Sequence, residues 1–217
     1  MPTATLNLSL LKEEATAFAA RESRHEEPSL YGVTDGKAIG TYLERKLHRC
    51  LRDKYSYVEG SSARGIDFPE LAVDIKVTSK AQPQSSCPFQ SARQKVYGLG
   101  YNLLVFVYEK TDNPAGRTGR LDILHTVFLD RGLTADFQTT SGLRRIVDNN
   151  GNLDDVLAFL SERMLPVGDI QARELAQEIL ANPPQTGYLT ISNALQWRLQ
   201  YSRVIEKASH VSGIESL

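Results

Sequence analysis

Apolar positions recur at helical spacing over residues 8–22, where Leu11, Ala15 and Phe18 share one face. A polar stretch punctuated by Pro and Gly follows over 23–35. A second helical pattern runs over about 37–53, with Ile39, Leu43, Leu47, Cys50 and Leu51 as its apolar stripe and Asp35 or Thr34 placed to cap it. The period then changes to two. Residues 55–58 and 66–68 read as short strands separated by the turn segment 59–65. Leu71, Val73, Ile75 and Val77 alternate with Asp74 and Lys76, so this segment reads as a strand with one apolar and one charged face. Residues 80–87 read as a polar loop and 88–98 as a helix. The near-continuous apolar run at 103–107 predicts a strand over 102–108 that is covered on both faces. A turn-rich loop at 112–119 leads to another strand at 121–129. Beyond Thr139 the pattern is helical, over about 140–148, 153–164, 169–181 and 191–208, with Pro183 and Pro184 as the interruption.

This order of elements predicts the α/β class: a mixed β-sheet core flanked by helices, with a C-terminal helical extension. The expected organisation is an N-terminal helix and loop over 1–35, a core over 36–135 and a helical subdomain over 136–217. A chain of 217 residues, 41% hydrophobic and 24% charged, buries a sizeable core, which excludes wholesale disorder. No run approaches the roughly 18 apolar residues of a membrane span. Lys12, Glu13 and Glu14 interrupt the one early apolar run, so no secretory signal is expected and the cytoplasm is the default compartment. Cys50 and Cys87 form no Cys-x-x-Cys pair, and His25, His48, His125 and His210 are scattered without metal-ligand spacing. The net charge is −1 but unevenly distributed. Residues 37–100 carry eleven Lys/Arg against six Asp/Glu, whereas the flanking segments are each net acidic. A basic middle third is the part suited to a polyanion.

The candidate chemistry lies in that third. Asp67 ends a short strand, and Asp74 and Lys76, two apart on the next strand, project from one face. The short link between the strands makes Asp67 and Asp74 neighbours. Paired carboxylates repel unless a divalent cation sits between them, and a nearby lysine then faces the developing charge of an attacked phosphodiester. Glu44 borders the apolar stripe of the preceding helix and needs a partner there, either the metal or a cationic side chain. Three acid-x-Lys pairs occur: Asp35 with Lys37, Glu44 with Lys46, and Asp74 with Lys76. Only the last falls on an expected strand with a second acid just upstream.

These residues, Glu44 followed by Gly-Ser-Ser-Ala-Arg-Gly-Ile-Asp67-Phe-Pro-Glu-Leu-Ala-Val-Asp74-Ile-Lys76, resemble the PD-(D/E)XK nuclease superfamily. Within this restriction-endonuclease-like fold, the segment is most similar to the MutH-type branch and to type II restriction endonucleases. The resemblance covers about residues 36–110. It implies a Mg2+-dependent endonuclease acting on double-stranded DNA, in which Asp67, Asp74, the Ile75 carbonyl and Glu44 surround the metal and Lys76 is the catalytic lysine. Ile66 stands where the motif has proline, and Asp74 where glutamate is more frequent. A symmetric homodimer is the simplest duplex cutter with one site per chain. The alternatives are a MutH-like nicking enzyme and a non-catalytic DNA-binding module that keeps the fold.

Candidate DNA contacts are Ser61, Ser62 and Arg64 in the turn, and Lys80, Gln90, Arg93, Gln94 and Lys95 after the charged strand. Their side chains suit phosphates and purine edges. The segment from Gly32 to Ala38 falls one residue short of a phosphate-binding loop and ends in Ala rather than Ser or Thr.

Overall fold

The computed structural model describes residues 4–60, 65–87, 90–192 and 197–217. In chain order the elements are β1 (Ala4–Thr5), α1 (Leu8–Glu22), β2 (Glu26–Glu27), α2 (Gly36–Arg52), β3 (Tyr55–Ser56), β4 (Val73–Ser79), β5 (Gln84–Cys87), α3 (Arg93–Tyr97), β6 (Asn102–Asn113), β7 (Thr118–Leu129), α4 (Phe137–Asp148), α5 (Leu153–Glu162), α6 (Asp169–Ala181), β8 (Thr190–Ile191), β9 (Trp197–Gln200), α7 (Ser202–Lys207) and β10 (Ile214–Ser216). The chain forms two compact units. The first comprises residues 1–85, 102–129 and 205–217; the second comprises 86–101 and 130–204. Neither is one continuous stretch, unlike the three consecutive segments expected from sequence.

The first unit is built on a mixed sheet in the order β10-β7-β6-β4, with β2 also paired to β7. β4 runs parallel to β6, Val73 opposite Asn102 and Ser79 opposite Tyr108. β6 and β7 form a long antiparallel pair whose register slips between Val107 and Tyr108. One sheet face presents Val73 and Ile75 of β4, Leu104, Phe106 and Tyr108 of β6, and Leu121 and Phe128 of β7. Against it pack the apolar stripes of α1 and α2 as the sequence period predicts, Leu11, Ala15 and Phe18 from one, Ile39, Leu43, Leu47 and Leu51 from the other. Phe18 meets Phe106 edge-on with ring centroids 6.0 Å apart. Each of these large side chains contributes about 1.5–3 kcal/mol by leaving water. The opposite-facing Leu103, Val105 and Val107 are buried too, consistent with a strand covered on both faces.

The helix starts are fixed by side chains. Asn7 accepts from Leu10 N–H to cap α1, and Asp35 accepts from Lys37 and Ala38 N–H to cap α2. That capping role is what the near-miss phosphate loop does: its Asp35 satisfies the helix's own N–H groups. The two helices are tied by Glu22, buried at the end of α1, which takes an ion pair from Lys46 at 2.8 Å and a hydrogen bond from the Tyr42 hydroxyl at 2.7 Å.

In the second unit α3, α4, α5 and α6 enclose a core of Val96, Leu143, Val156, Leu160, Leu175 and Ile179. Asp136 anchors this unit. It caps α4 through Thr139 N–H and Oγ1, and its other oxygen accepts Ile191 N–H at 2.8 Å. The expected helix over 191–208 is not observed. Thr190 and Ile191 of β8 pair antiparallel with Gln200 and Leu199 of β9, and only Ser202–Lys207 is helical. The burial of Trp197 and Leu199 and exposure of Arg198 and Gln200 carry the strand period of two. Trp197 is core, as its size favours. The loop expected over 80–87 ends in β5, and of the helix expected over 88–98 only Arg93–Tyr97, α3, is helical among the described residues.

Candidate active site

The chain between α2 and β4 is shaped to deliver one carboxylate beside another. After β3 it runs to Gly60, whose N–H donates to the Asp67 carbonyl at 2.8 Å. A side chain at Gly60 would collide with the Ile66 carbonyl oxygen, 1.7 Å from the position a Cβ would take. Phe68 and Val73 then pair antiparallel, Phe68 N–H to Val73 O at 2.9 Å and Val73 N–H to Phe68 O at 3.2 Å. The link between them is one 3-10 turn, Pro69–Leu71, closed by Ala72 in the left-handed region at φ 49° and ψ 50°. Asn102 holds the bend by donating both its backbone N–H and its side-chain amide to the Ala72 carbonyl. This is the hairpin that the short sequence link predicts.

Asp67 thereby continues the pairing with its side chain. Its Oδ2 accepts Ile75 N–H at 2.6 Å, where a longer partner strand would have placed a carbonyl. A residue's N–H and C=O point to the same side of a strand. The Ile75 carbonyl therefore also faces the free edge of β4, the side on which Asp67 lies. Asp74 is 4% exposed and at hydrogen-bonding distance from Asp67. Burial, opposed by the Lys76 ammonium and reinforced by Asp67, pushes its carboxyl up to about 7. Burial also raises Asp67, with the Glu44 carboxylate adding to the rise. Lys76 Nζ lies 2.7 Å from Asp74 Oδ2, a close ion pair outside good hydrogen-bond geometry, and that buried oxygen accepts no aligned hydrogen bond. Two adjoining carboxyls and an unsatisfied buried oxygen form an oxygen-rich donor set with excess negative charge, which fits a hard divalent cation.

Glu44, on α2, is half-buried and at hydrogen-bonding distance from Asp67. The same helix face carries His48, whose ring stacks on Phe68 with centroids 4.8 Å apart and whose Nδ1 lies 2.9 Å from the Tyr57 hydroxyl. Burial lowers the His48 pKa and raises that of Tyr57 to about 12. One ligating atom each of Glu44, His48 and Asp67 lies within 4.8 Å of the other two. The sequence reading misses His48. The signal was its position four residues after Glu44, which puts both on one helix face.

The remaining sequence candidates separate. Ser61, Ser62 and Arg64 lie outside the described residues. Lys80 is exposed, 3.9 Å from Glu109. Arg93 pairs with Glu178 through two hydrogen bonds of 2.5 and 3.1 Å and lies over the Tyr97 ring. Gln94 donates to the Leu99 carbonyl and to Gln90. Lys95 is corrected outright: it is 2% exposed, faces the carboxylate of Asp136, lies 5.7 Å from the Trp197 ring and has its pKa lowered by burial, so it is an interior residue and not a surface contact. Among the described residues no helix is long and apolar enough to cross a membrane.

Comparison with known proteins gives a consistent answer. Residues 5–216 match the family model described as type II restriction enzyme NspV. A type II restriction enzyme NspV from Nostoc sp. (strain ATCC 29411 / PCC 7524) is 60% identical over 209 residues, covering 96% of this chain and 95% of that protein. A crystal structure of tetrameric restriction endonuclease SfiI bound to cognate DNA aligns over 96% of this chain and 81% of that one, at 10% identity and a TM-score of 0.41, a likeness too slight to bear on fold or function. On the extent of the family match and the identity, the chain belongs to the NspV family of type II restriction enzymes.

Proposed function

We propose that this restriction endonuclease is a PD-(D/E)XK-type enzyme that hydrolyses phosphodiester bonds of double-stranded DNA with Mg2+ at the Asp67–Asp74 centre. The observation that carries the reading is the hairpin geometry: Asp67 held on Ile75 N–H at 2.6 Å, beside buried Asp74, with Lys76 2.7 Å from Asp74. Asp67, Asp74 and the Ile75 carbonyl would hold the ion, with Glu44 beside Asp67. When bound there, the cation supplies Lewis-acid polarisation of the phosphoryl group and acidifies a water toward neutrality.

The protein residues have distinct tasks. Asp74 and Asp67 would hold the ion and so set where the attacked phosphate can approach, since the carboxylates alone would repel it. Lys76, tethered to Asp74, presents its ammonium to the charge that develops on the phosphoryl oxygens, a contribution of about 100–1000-fold for one well-placed donor. Phe68, fully buried beside Asp67, prevents that carboxylate from drifting. Duplex cleavage requires two strand scissions, for which a symmetric homodimer with one centre per chain is the simplest arrangement. Lys80, Arg93, Gln94, Ser61, Ser62 and Arg64 remain the proposed DNA contacts.

Digestion of mixed-sequence DNA and supercoiled plasmid with Mg2+ tests the reading. Asp74→Ala and Lys76→Ala should each abolish cleavage while duplex binding persists. Unchanged cleavage in either variant moves the centre elsewhere, and accumulation of open circles alone would establish a nicking enzyme instead.

A further inference from the structure

The catalytic reading uses Asp67 and Asp74 and leaves His48 without a task. Yet His48 is 4% exposed, and its ring is held on two sides by the Phe68 face and the Tyr57 hydroxyl. That hydroxyl also donates to the His48 carbonyl oxygen at 3.2 Å. A phenol has one proton. With that proton on the carbonyl, the phenol oxygen accepts from Nδ1–H, and the lone pair of the ring resides on Nε2. Among the described residues no hydrogen bond reaches Nε2. An imidazole with one nitrogen anchored to an oxygen and the other bare is prepared to ligate a metal. One ring nitrogen of His48 and one oxygen each of Glu44 and Asp67 lie within 4.8 Å of one another, and the two carboxyls adjoin, an arrangement a cation between them relieves.

We infer that Glu44, His48 and Asp67 form a second cation position, sharing Asp67 with the first, that takes a borderline divalent ion such as Co2+, Ni2+ or Zn2+ in preference to Mg2+. The inference rests on the reading of Asp67 and Asp74 as a cation centre. Its basis is the contrast between two adjacent donor sets. The first offers oxygens only, which suits Mg2+; the second adds an imidazole nitrogen, which suits later transition ions. Shared Asp67 links the two, so occupancy of one position alters affinity at the other. Tyr57 is a positioning residue in this scheme, since it acts only through the His48 ring.

The test loads the full chain with Co2+ in the presence of excess Mg2+ and records proton NMR. A cobalt-bound imidazole gives a far-shifted N–H resonance that disappears in D2O. The resonance should be present in the wild type, absent in His48→Gln and retained in Asp74→Asn. Tyr57→Phe keeps the stacked ring but loses the anchor, and should weaken Co2+ binding about 10–100-fold, read by visible absorption. Co2+ binding without that resonance, or a resonance that survives His48→Gln, overturns the second position and leaves the oxygen-only centre standing. Calorimetric Mg2+ binding that is the same in Asp74→Asn as in the wild type overturns the catalytic centre, and this inference with it.

Discussion

Asp74→Asn should make the metal-free protein more stable at alkaline pH while abolishing its cleavage. The carboxyl titrates at about 7 in the folded chain against an ordinary 3.8, chiefly because it is buried. A raised folded pKa means that between those two values the native state keeps a proton the unfolded chain has released. Stability therefore falls as pH rises from about 4 to about 7, then levels off. A rise from 3.8 to about 7 corresponds to at most about 4 kcal/mol. Asparagine has no proton to lose, so the variant escapes this decline. The Lys76 attraction that the variant loses is already contained in the value of about 7, so it takes nothing further from the gain. The expectation at pH 8 is therefore up to about 4 kcal/mol of stabilisation, or on the order of 10 °C in Tm for a chain of this length. Calorimetry in EDTA at pH 5 and pH 8 reads this directly. At pH 5, where about a third of the decline has accrued, the variant should melt slightly higher; at pH 8 the gap should be about two to three times wider. Added Mg2+ should raise the wild-type Tm at pH 8 and leave the variant's unchanged. Equal pH slopes for the two proteins would refute the reasoning, because Asp74 would then not be the buried acid.

The Asp67 pair of variants separates a structural task from a chemical one: Asp67→Asn keeps an oxygen for Ile75 N–H, whereas Asp67→Ala leaves that N–H unpaired. Both should lose cleavage, but only the alanine variant should lose about 1–3 kcal/mol in urea titration. Gly60→Ala forces the Ile66–Asp67 backbone to move, since its Cβ would meet Ile66 O at 1.7 Å, and a displacement of about 1 Å is expected to cost about 100-fold in cleavage rate; an unaltered rate in single-turnover assays would show that Asp67 tolerates the shift. In the second unit, Asp136→Ala removes the acceptor of three hydrogen bonds and should destabilise the protein by about 3–5 kcal/mol, measured by thermal melting.

What the sequence discloses depends on how far apart the interacting residues lie. The α1 and α2 stripes and the apolar run of β6 are local patterns that the structure repeats nearly residue for residue, and β4 keeps Val73, Ile75 and Val77 toward the core, although Leu71 falls in the preceding turn and Asp74 is buried. Asp67, Asp74 and Lys76 were legible for the same reason, since a single short hairpin brings them together. The failures involve distant partners. Lys95 reads as a solvated charge because its partner Asp136 is far along the chain and its neighbour Trp197 farther still. The stretch around Trp197 reads as helix because no Gly or Pro breaks it, yet Leu199 and Gln200 follow the pairing with β8. The two units interleave in sequence, and a linear partition into consecutive segments has no means of expressing that. His48 is a different failure: its relation to Glu44 is local, but it becomes meaningful only once Asp67 approaches the same helix face.

The location of the site follows from a weakness of the sheet. β4 is the end strand of the order β10-β7-β6-β4, and an end strand exposes unpaired backbone groups that require cover. The chain covers the start of β4 with the Phe68–Val73 pairing and then stops, handing the next N–H, that of Ile75, to a carboxylate instead of a carbonyl. A carbonyl there would have extended the sheet and closed the edge. The carboxylate satisfies the same donor, keeps a second oxygen to face Asp74, and leaves the strand edge open beside it. Edge protection and the pairing of two carboxyls are thus served by one side chain, and their burial is tolerated because Phe68 and the α2 face hold the hairpin in place from behind. The raised pKa values of Asp67 and Asp74 are the electrostatic mark of that arrangement, a stability penalty concentrated at the point where the proposed centre needs negative charge.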